Sequence, residues 1–122
     1  MDFLFRHLPL QKRYLINDET YYSVKGKIGE GAYAYVNQVK NSNGQNFAVK
    51  RIMVATAEQL VEANREISVL KALQRHDNII PYLGTGSRFN KRGQQEILML
   101  MPFYGSGTMQ TVVDKTGLFS LI

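Results

Sequence analysis

The chain has no cysteine among its 122 residues and only two histidines. The first absence excludes disulfides, thiolate metal sites and palmitoylation, and the second leaves too few ligands for a zinc centre. Long apolar runs are missing as well. The apolar start, residues 1–10, is interrupted by Arg6 and His7, is too short to cross a bilayer and has no small-residue cleavage site. No secretory signal or transmembrane segment is expected, and an intracellular, cytoplasmic location is. Asp2 stands where N-myristoylation needs glycine, so membrane association through an acyl chain has no site here. Clustered charge is the last absence. Fifteen Lys and Arg against ten Asp and Glu give a net charge of +5, which would suit a polyanion. The basic residues are nevertheless scattered in pairs such as Lys12-Arg13, Lys50-Arg51 and Lys91-Arg92. They read as a solvated surface, and no nucleic-acid partner is expected.

What is present suits one globular domain: 44% hydrophobic and 20% charged residues, on a chain long enough to bury roughly 60–70% of its unfolded surface. Its centre is the stretch Ile28-Gly29-Glu30-Gly31-Ala32-Tyr33-Ala34-Tyr35-Val36, followed by Phe47-Ala48-Val49-Lys50. Two glycines one residue apart, between alternating apolar positions, read as strand, tight glycine turn, strand. A turn without Cβ atoms lets backbone N–H groups close over a polyphosphate. Lys50 ends an apolar run and is expected on a buried strand, facing whatever the turn covers. The intervening Asn41-Ser42-Asn43-Gly44 is a hairpin signal that makes the lysine strand antiparallel to its predecessor. Taken alone, the glycines could equally be plain turn residues. Tyr33-Ala34-Tyr35-Val36 also matches the middle of an RNA-binding strand pattern, but Gly31, Ala32 and Gln38 break that pattern at its ends.

Before this centre, Tyr14-Leu15-Ile16 and Tyr21-Tyr22-Ser23-Val24 flank Asn17-Asp18-Glu19-Thr20 and predict a small hairpin at the edge of the sheet. After it the period changes. Thr56 and Gln59 form a T-x-x-Q capping box, and Leu60, Ala63, Ile67, Leu70 and Leu73 recur at the spacing of one buried helical face. A helix is predicted from about Thr56 to Leu73, with Glu58, Glu62 and Glu66 in a column along it. Two further strands, Ile79 to Ser87 and Glu96 to Met101, are joined by a polar, basic loop over Arg88 to Gln95.

The glycine pattern Gly29, Gly31, Ala34, Val36 and the motif Ala48-Val49-Lys50 resemble the G-x-G-x-x-G-x-V and V-A-I-K of the protein kinases, with alanine in place of the third glycine. His76-Asp77-Asn78-Ile79 resembles the segment that opens a kinase's next strand. The run Leu98-Met99-Leu100-Met101-Pro102-Phe103, with Gly107-Thr108-Met109 after it, is similar to the Numb-associated kinases, especially their fatty-acylated serine/threonine kinase branch. The resemblance implies ATP as cofactor, with Mg2+ only in a complete kinase. It implies an ATP site of Ile28, Gly29, Glu30, Gly31, Ala32, Tyr33, Ala34, Val36, Ala48 and Lys50. To these it adds Glu66 pairing Lys50, with Glu62 in reserve, and the hinge residues Met101, Pro102 and Tyr104. Met101 would be the gatekeeper; the Pro102 carbonyl and the Tyr104 N–H and carbonyl would meet adenine.

The fold expected is α+β, a protein-kinase-like small lobe with a twisted antiparallel five-stranded sheet and one packed helix, the large lobe being absent. Residues 1–12 form an N-terminal extension, 13–104 the lobe, and 105–122 the hinge exit, where Thr108 would cap a short helix. No H-R-D-x-x-x-x-N, D-F-G or A-P-E motif occurs in the 122 residues, so neither a catalytic residue nor a metal ligand is expected in this chain. Alternatives are a noncatalytic interaction module of kinase descent and a basic RNA-binding domain. A missing large lobe or another partner is expected to cover the exposed face, and the protein substrate is not legible.

Overall fold

The structure, a computed structural model, describes residues 8–9, 12–30, 34–75 and 81–103. Strands β1 (Arg13–Ile16), β2 (Thr20–Glu30), β3 (Ala34–Lys40), β4 (Asn46–Val54), β5 (Gly84–Phe89) and β6 (Gln95–Pro102) form one antiparallel sheet in the order β1-β2-β3-β4-β6-β5. Helix α1 (Ala57–Ala72), prolonged by the 3-10 turn Leu73–Arg75, follows β4. Among the described residues no helix is long and apolar enough to cross a membrane.

Two hairpins close on the same pattern, Asn-x-x-Gly-Gln. Between β3 and β4, the Asn41 side-chain oxygen accepts from the N–H groups of Asn43 (3.0 Å) and Gln45 (2.9 Å), and Gly44 sits at φ +79°. Between β5 and β6, Asn90 accepts from Arg92 (2.9 Å) and Gln94 (3.0 Å), and Gly93 sits at φ +78°. Glycine takes that left-handed conformation without a Cβ penalty. The second turn is therefore tighter than the loop expected over Arg88 to Gln95: Arg88, Phe89 and Gln95 belong to the strands. The strand expected from Ile79 begins only at Gly84. Pro81 has no N–H to give to a ladder, and residues 76–80 lie outside the described residues.

The sheet has six strands, the five expected and the edge strand of the predicted hairpin, β1, which pairs along its whole length with β2. The turn between them holds Asn17 and Asp18 at φ 54° and 56°, the primed-turn geometry that matches strand twist and that Asn and Asp tolerate. The sheet curls until its two edge strands touch. Asn17 N–H donates to the Thr85 carbonyl at 2.7 Å, and Thr85 N–H donates to the Asn17 side-chain oxygen at 3.2 Å. Gly86 permits the approach, since a Cβ there would lie 2.1 Å from the Leu15 carbonyl oxygen.

Each face of the sheet carries a core. Inside the curl are Tyr14, Ile16, Tyr22, Val39, Val49, Leu98 and Leu100. On the outer face Ala63, Ile67 and Leu70 of α1 pack against Ala34, Ile52, Val54, Ile97 and Met99. Strands β4 and β6 are buried on both sides, which is why the second reads as an unbroken apolar run. Leu73, assigned by its spacing to the buried face of α1, is 36% exposed. Leu70 is the last buried residue of the helix, which ends at Ala72; Leu73 is its C-cap and opens the 3-10 turn beyond the packed face.

Candidate functional site

Cross-strand partners share a face of the sheet, so register alone assembles the site. One row runs Gly29, Val36, Lys50, Met99, and the next Gly26, Gln38, Ala48, Met101. Val36, Ala48, Lys50 and Met101 are all buried. This is the outer face, the one that α1 crosses.

Helix α1 is held at its start and along its length. The Thr56 hydroxyl accepts from Gln59 N–H at 3.1 Å, while the Gln59 side-chain oxygen accepts from the N–H groups of Thr56 (3.2 Å) and Ala55 (2.7 Å). Glu66 shares its helix face with Ala63 and Leu70, so the apolar contacts of those two turn its carboxylate onto the sheet. There Lys50 Nζ donates to Glu66 Oε1. Glu58 and Glu62 are exposed, which selects Glu66 from the column. Lys50 is 2% and Glu66 5% exposed. Burial pushes the Lys50 ammonium below its ordinary 10.5, and the Glu66 carboxylate pulls it partly back. Such a pair is weak evidence for stability, because desolvation opposes the attraction. It does fix where the ammonium stands.

The other residues singled out in the sequence are distributed unevenly. Gly29 is not in a turn: β2 continues through Glu30, pairing Gly29 with Val36 and Glu30 with Tyr35. Ile28 lies where the β2 register slips between Lys27 and Gly29, and is 39% exposed. The Glu30 carboxylate meets the Lys27 ammonium at 3.0 Å on the surface. Ala34 begins β3 and packs into the core beneath α1. Pro102 ends β6 opposite Phe47. Gly31, Ala32, Tyr33 and Tyr104, like the short helix after Thr108, lie outside the described residues.

One buried carboxylate was not singled out. Glu96, 1% exposed, lies on the inner face, where its Oε1 accepts from Arg88 Nε at 2.8 Å and its Oε2 is 3.5 Å from Arg51 Nε. That last contact is an ion pair and not a hydrogen bond, since Arg51 Nε has no acceptor among the described residues. The signal was a period of two: Glu96 is in phase with the inward Leu98 and Leu100.

A curled antiparallel sheet, one helix docked across it and a buried lysine held by a glutamate of that helix define the small lobe of a kinase. Residues 22–121 match the protein kinase domain, and the chain belongs to the protein kinase family. It is 32% identical over 108 residues to a probable serine/threonine-protein kinase of Dictyostelium discoideum, covering 88% of this chain and 29% of that one. A second from the same organism is 31% identical over 90 residues, covering 73% of this chain and 8% of the other. A third is 28% identical over 94 residues, covering 76% and 12%. The chain thus spans less than a third of the length of these relatives.

Proposed function

We propose that this chain is the ATP-binding small lobe of a serine/threonine protein kinase. The observation that carries the reading is the buried Lys50–Glu66 pair, set one strand from Val36 and two from Gly29 on one face of the sheet. The residues present fit a nucleotide by their chemistry. Val36, Ala48, Met101 and Ile28 supply apolar walls for adenine, and the backbone after Met101 supplies its donor and acceptor at Pro102 and Tyr104. Lys50 would meet the α- and β-phosphates, with Glu66 holding it there. ATP supplies the transferable γ-phosphoryl group. Magnesium is expected to act only in a complete kinase. Its ligands, like the catalytic base, belong to a large lobe that completes the enzyme.

The hinge run Met101-Pro102-Phe103 favours the Numb-associated branch, and the names of the relatives favour serine/threonine specificity. Use of ATP and the lack of cysteine favour an intracellular location. Val69 on α1, Leu73 at its C-cap and Leu83 just before β5 are exposed apolar residues of the kind that a large lobe would cover. A noncatalytic module would share the same surface. Titrating the chain with ATP and following its thermal unfolding tests the reading: saturable stabilisation is expected, and Lys50→Met should abolish it. Equal stabilisation of both proteins would remove Lys50 from the site.

A further inference from the structure

On the inner face, turned away from Lys50, the mouth of the curl opens into a cleft of about 520 Å³ between Tyr35, Arg51, Met53 and the β5–β6 turn. Its position follows from alternation: Lys50 and Arg51 are neighbours on β4, so their side chains leave opposite faces. Arg51, Arg88, Lys91 and Arg92 line the cleft with Glu96 as the sole carboxylate, an excess of three positive charges. Glu96 is already shared by Arg51 and Arg88. Lys91 and Arg92, exposed on the turn, pair with no carboxylate among the described residues. Beside them stands Phe89, 69% exposed, the most exposed large apolar side chain described.

We propose that this cleft docks an acidic segment of a partner protein, one that carries an aromatic or aliphatic side chain between its carboxylates. The apolar residue would lie against Phe89 and Met53, and its acidic neighbours would meet Lys91, Arg92 and the outer edge of Arg51. The volume suits one or two side chains, well within the roughly 300–1,000 Å³ of ordinary pockets. A single-stranded nucleic acid fits less well, because stacking successive bases needs several free aromatic faces, and of the two aromatic side chains lining the cleft only Phe89 is open. The Tyr35 ring is already taken by Arg51 at 4.9 Å and by Lys27 at 5.6 Å. These 122 residues do not supply the acidic segment either. Their only adjacent acidic residues are Asp18-Glu19, in the β1–β2 turn.

The test is fluorescence anisotropy with the 122-residue chain and a labelled peptide, Glu-Asp-Phe-Glu-Asp. Saturable binding that weakens with added salt is expected. The double variant Lys91→Glu, Arg92→Glu should weaken it on the order of tenfold or more, and Phe89→Ser similarly. Both changes are on exposed side chains, and the turn rests on Asn90 and Gly93 instead. Unchanged circular dichroism would show that the fold persists. The control Lys12→Glu, Lys25→Glu alters charge equally, at exposed residues away from the cleft, and should leave the affinity within about twofold. Equal losses in the control would reduce the effect to net charge and overturn the proposal. So would equal binding of Gln-Asn-Phe-Gln-Asn, no saturable binding at all, or tighter binding of a short oligouridine through the same residues.

Discussion

Lys50 and Glu66 are both nearly removed from water, so neither charge tolerates the loss of the other. Glu66→Ala should cost about 3–5 kcal/mol in urea unfolding, since it strands a buried ammonium. Lys50→Met strands a carboxylate and should cost a similar amount. The double variant Lys50→Met, Glu66→Leu should recover most of the loss, because apolar groups of similar volume often replace a buried pair without penalty. Its nucleotide stabilisation should not return. Losses that simply add in the double variant would mean that the two residues act independently. The tyrosines give a second prediction at this scale. Burial raises the Tyr14 and Tyr22 hydroxyls above their ordinary 10.0, and Tyr14 donates to Asn37 Oδ1 at 3.2 Å. The folded chain therefore keeps protons that the unfolded chain releases above pH 10.0, and stability should fall as pH climbs through that window. Lys50 acts with the opposite sign below 10.5, where the unfolded chain binds the extra proton. Tyr14→Phe should make the alkaline fall shallower, even though losing the hydrogen bond lowers stability by about 1 kcal/mol throughout. Identical slopes in urea unfolding between pH 9 and 12 would contradict the assignment to Tyr14.

At the scale of elements, local chemistry was readable and distant contact was not. The start of α1 was visible because Thr56 and Gln59 exchange hydrogen bonds within four residues. Thr56→Ala should accordingly cost about 1 kcal/mol, seen as earlier thermal melting. The turn at Asn41-Ser42-Asn43-Gly44 was visible for the same reason. Its counterpart at Asn90-Lys91-Arg92-Gly93 was hidden, because its charged residues read as solvated loop although the Asn and Gly roles are the same. The closing of β1 on β5 had no local signal: Asn17 and Thr85 are 68 residues apart, and their contact depends on how far the sheet curls. Gly86 is the residue to probe there. Gly86→Ala places a Cβ against the Leu15 carbonyl, while Gly26→Ala meets nothing within 4 Å. The first should release β1 and speed amide exchange at Arg13–Ile16 and Asn17, and the second should not. Similar exchange in both would show that the edge contact contributes nothing.

For the whole molecule, the pairing of Lys50 with Glu66 was legible because it depends on order and register: a strand lysine and a helix glutamate, each placed by its own local pattern. The inner-face cluster of Glu96 with Arg51 and Arg88 was not, since it unites β4, β5 and β6 through a curl that no short window encodes. The same division sets the limits of the chemistry. On the proposed function these 122 residues would supply adenine walls and a phosphate-directed lysine, yet they contain no H-R-D, D-F-G or A-P-E motif. A positioned catalytic base contributes about 10²–10⁴-fold, and holding the reactants in line contributes up to roughly 7–11 kcal/mol. Without either, ATP should bind weakly and its γ-phosphoryl group should stay in place. Incubating the chain with labelled ATP, Mg2+ and a generic serine peptide should show no incorporation above a Lys50→Met control. The same lobe joined to a matching large lobe should show incorporation that the control abolishes. Robust, Lys50-dependent transfer by the 122 residues alone would mean that base and metal ligands lie within them, and the division of labour between two lobes would have to be abandoned.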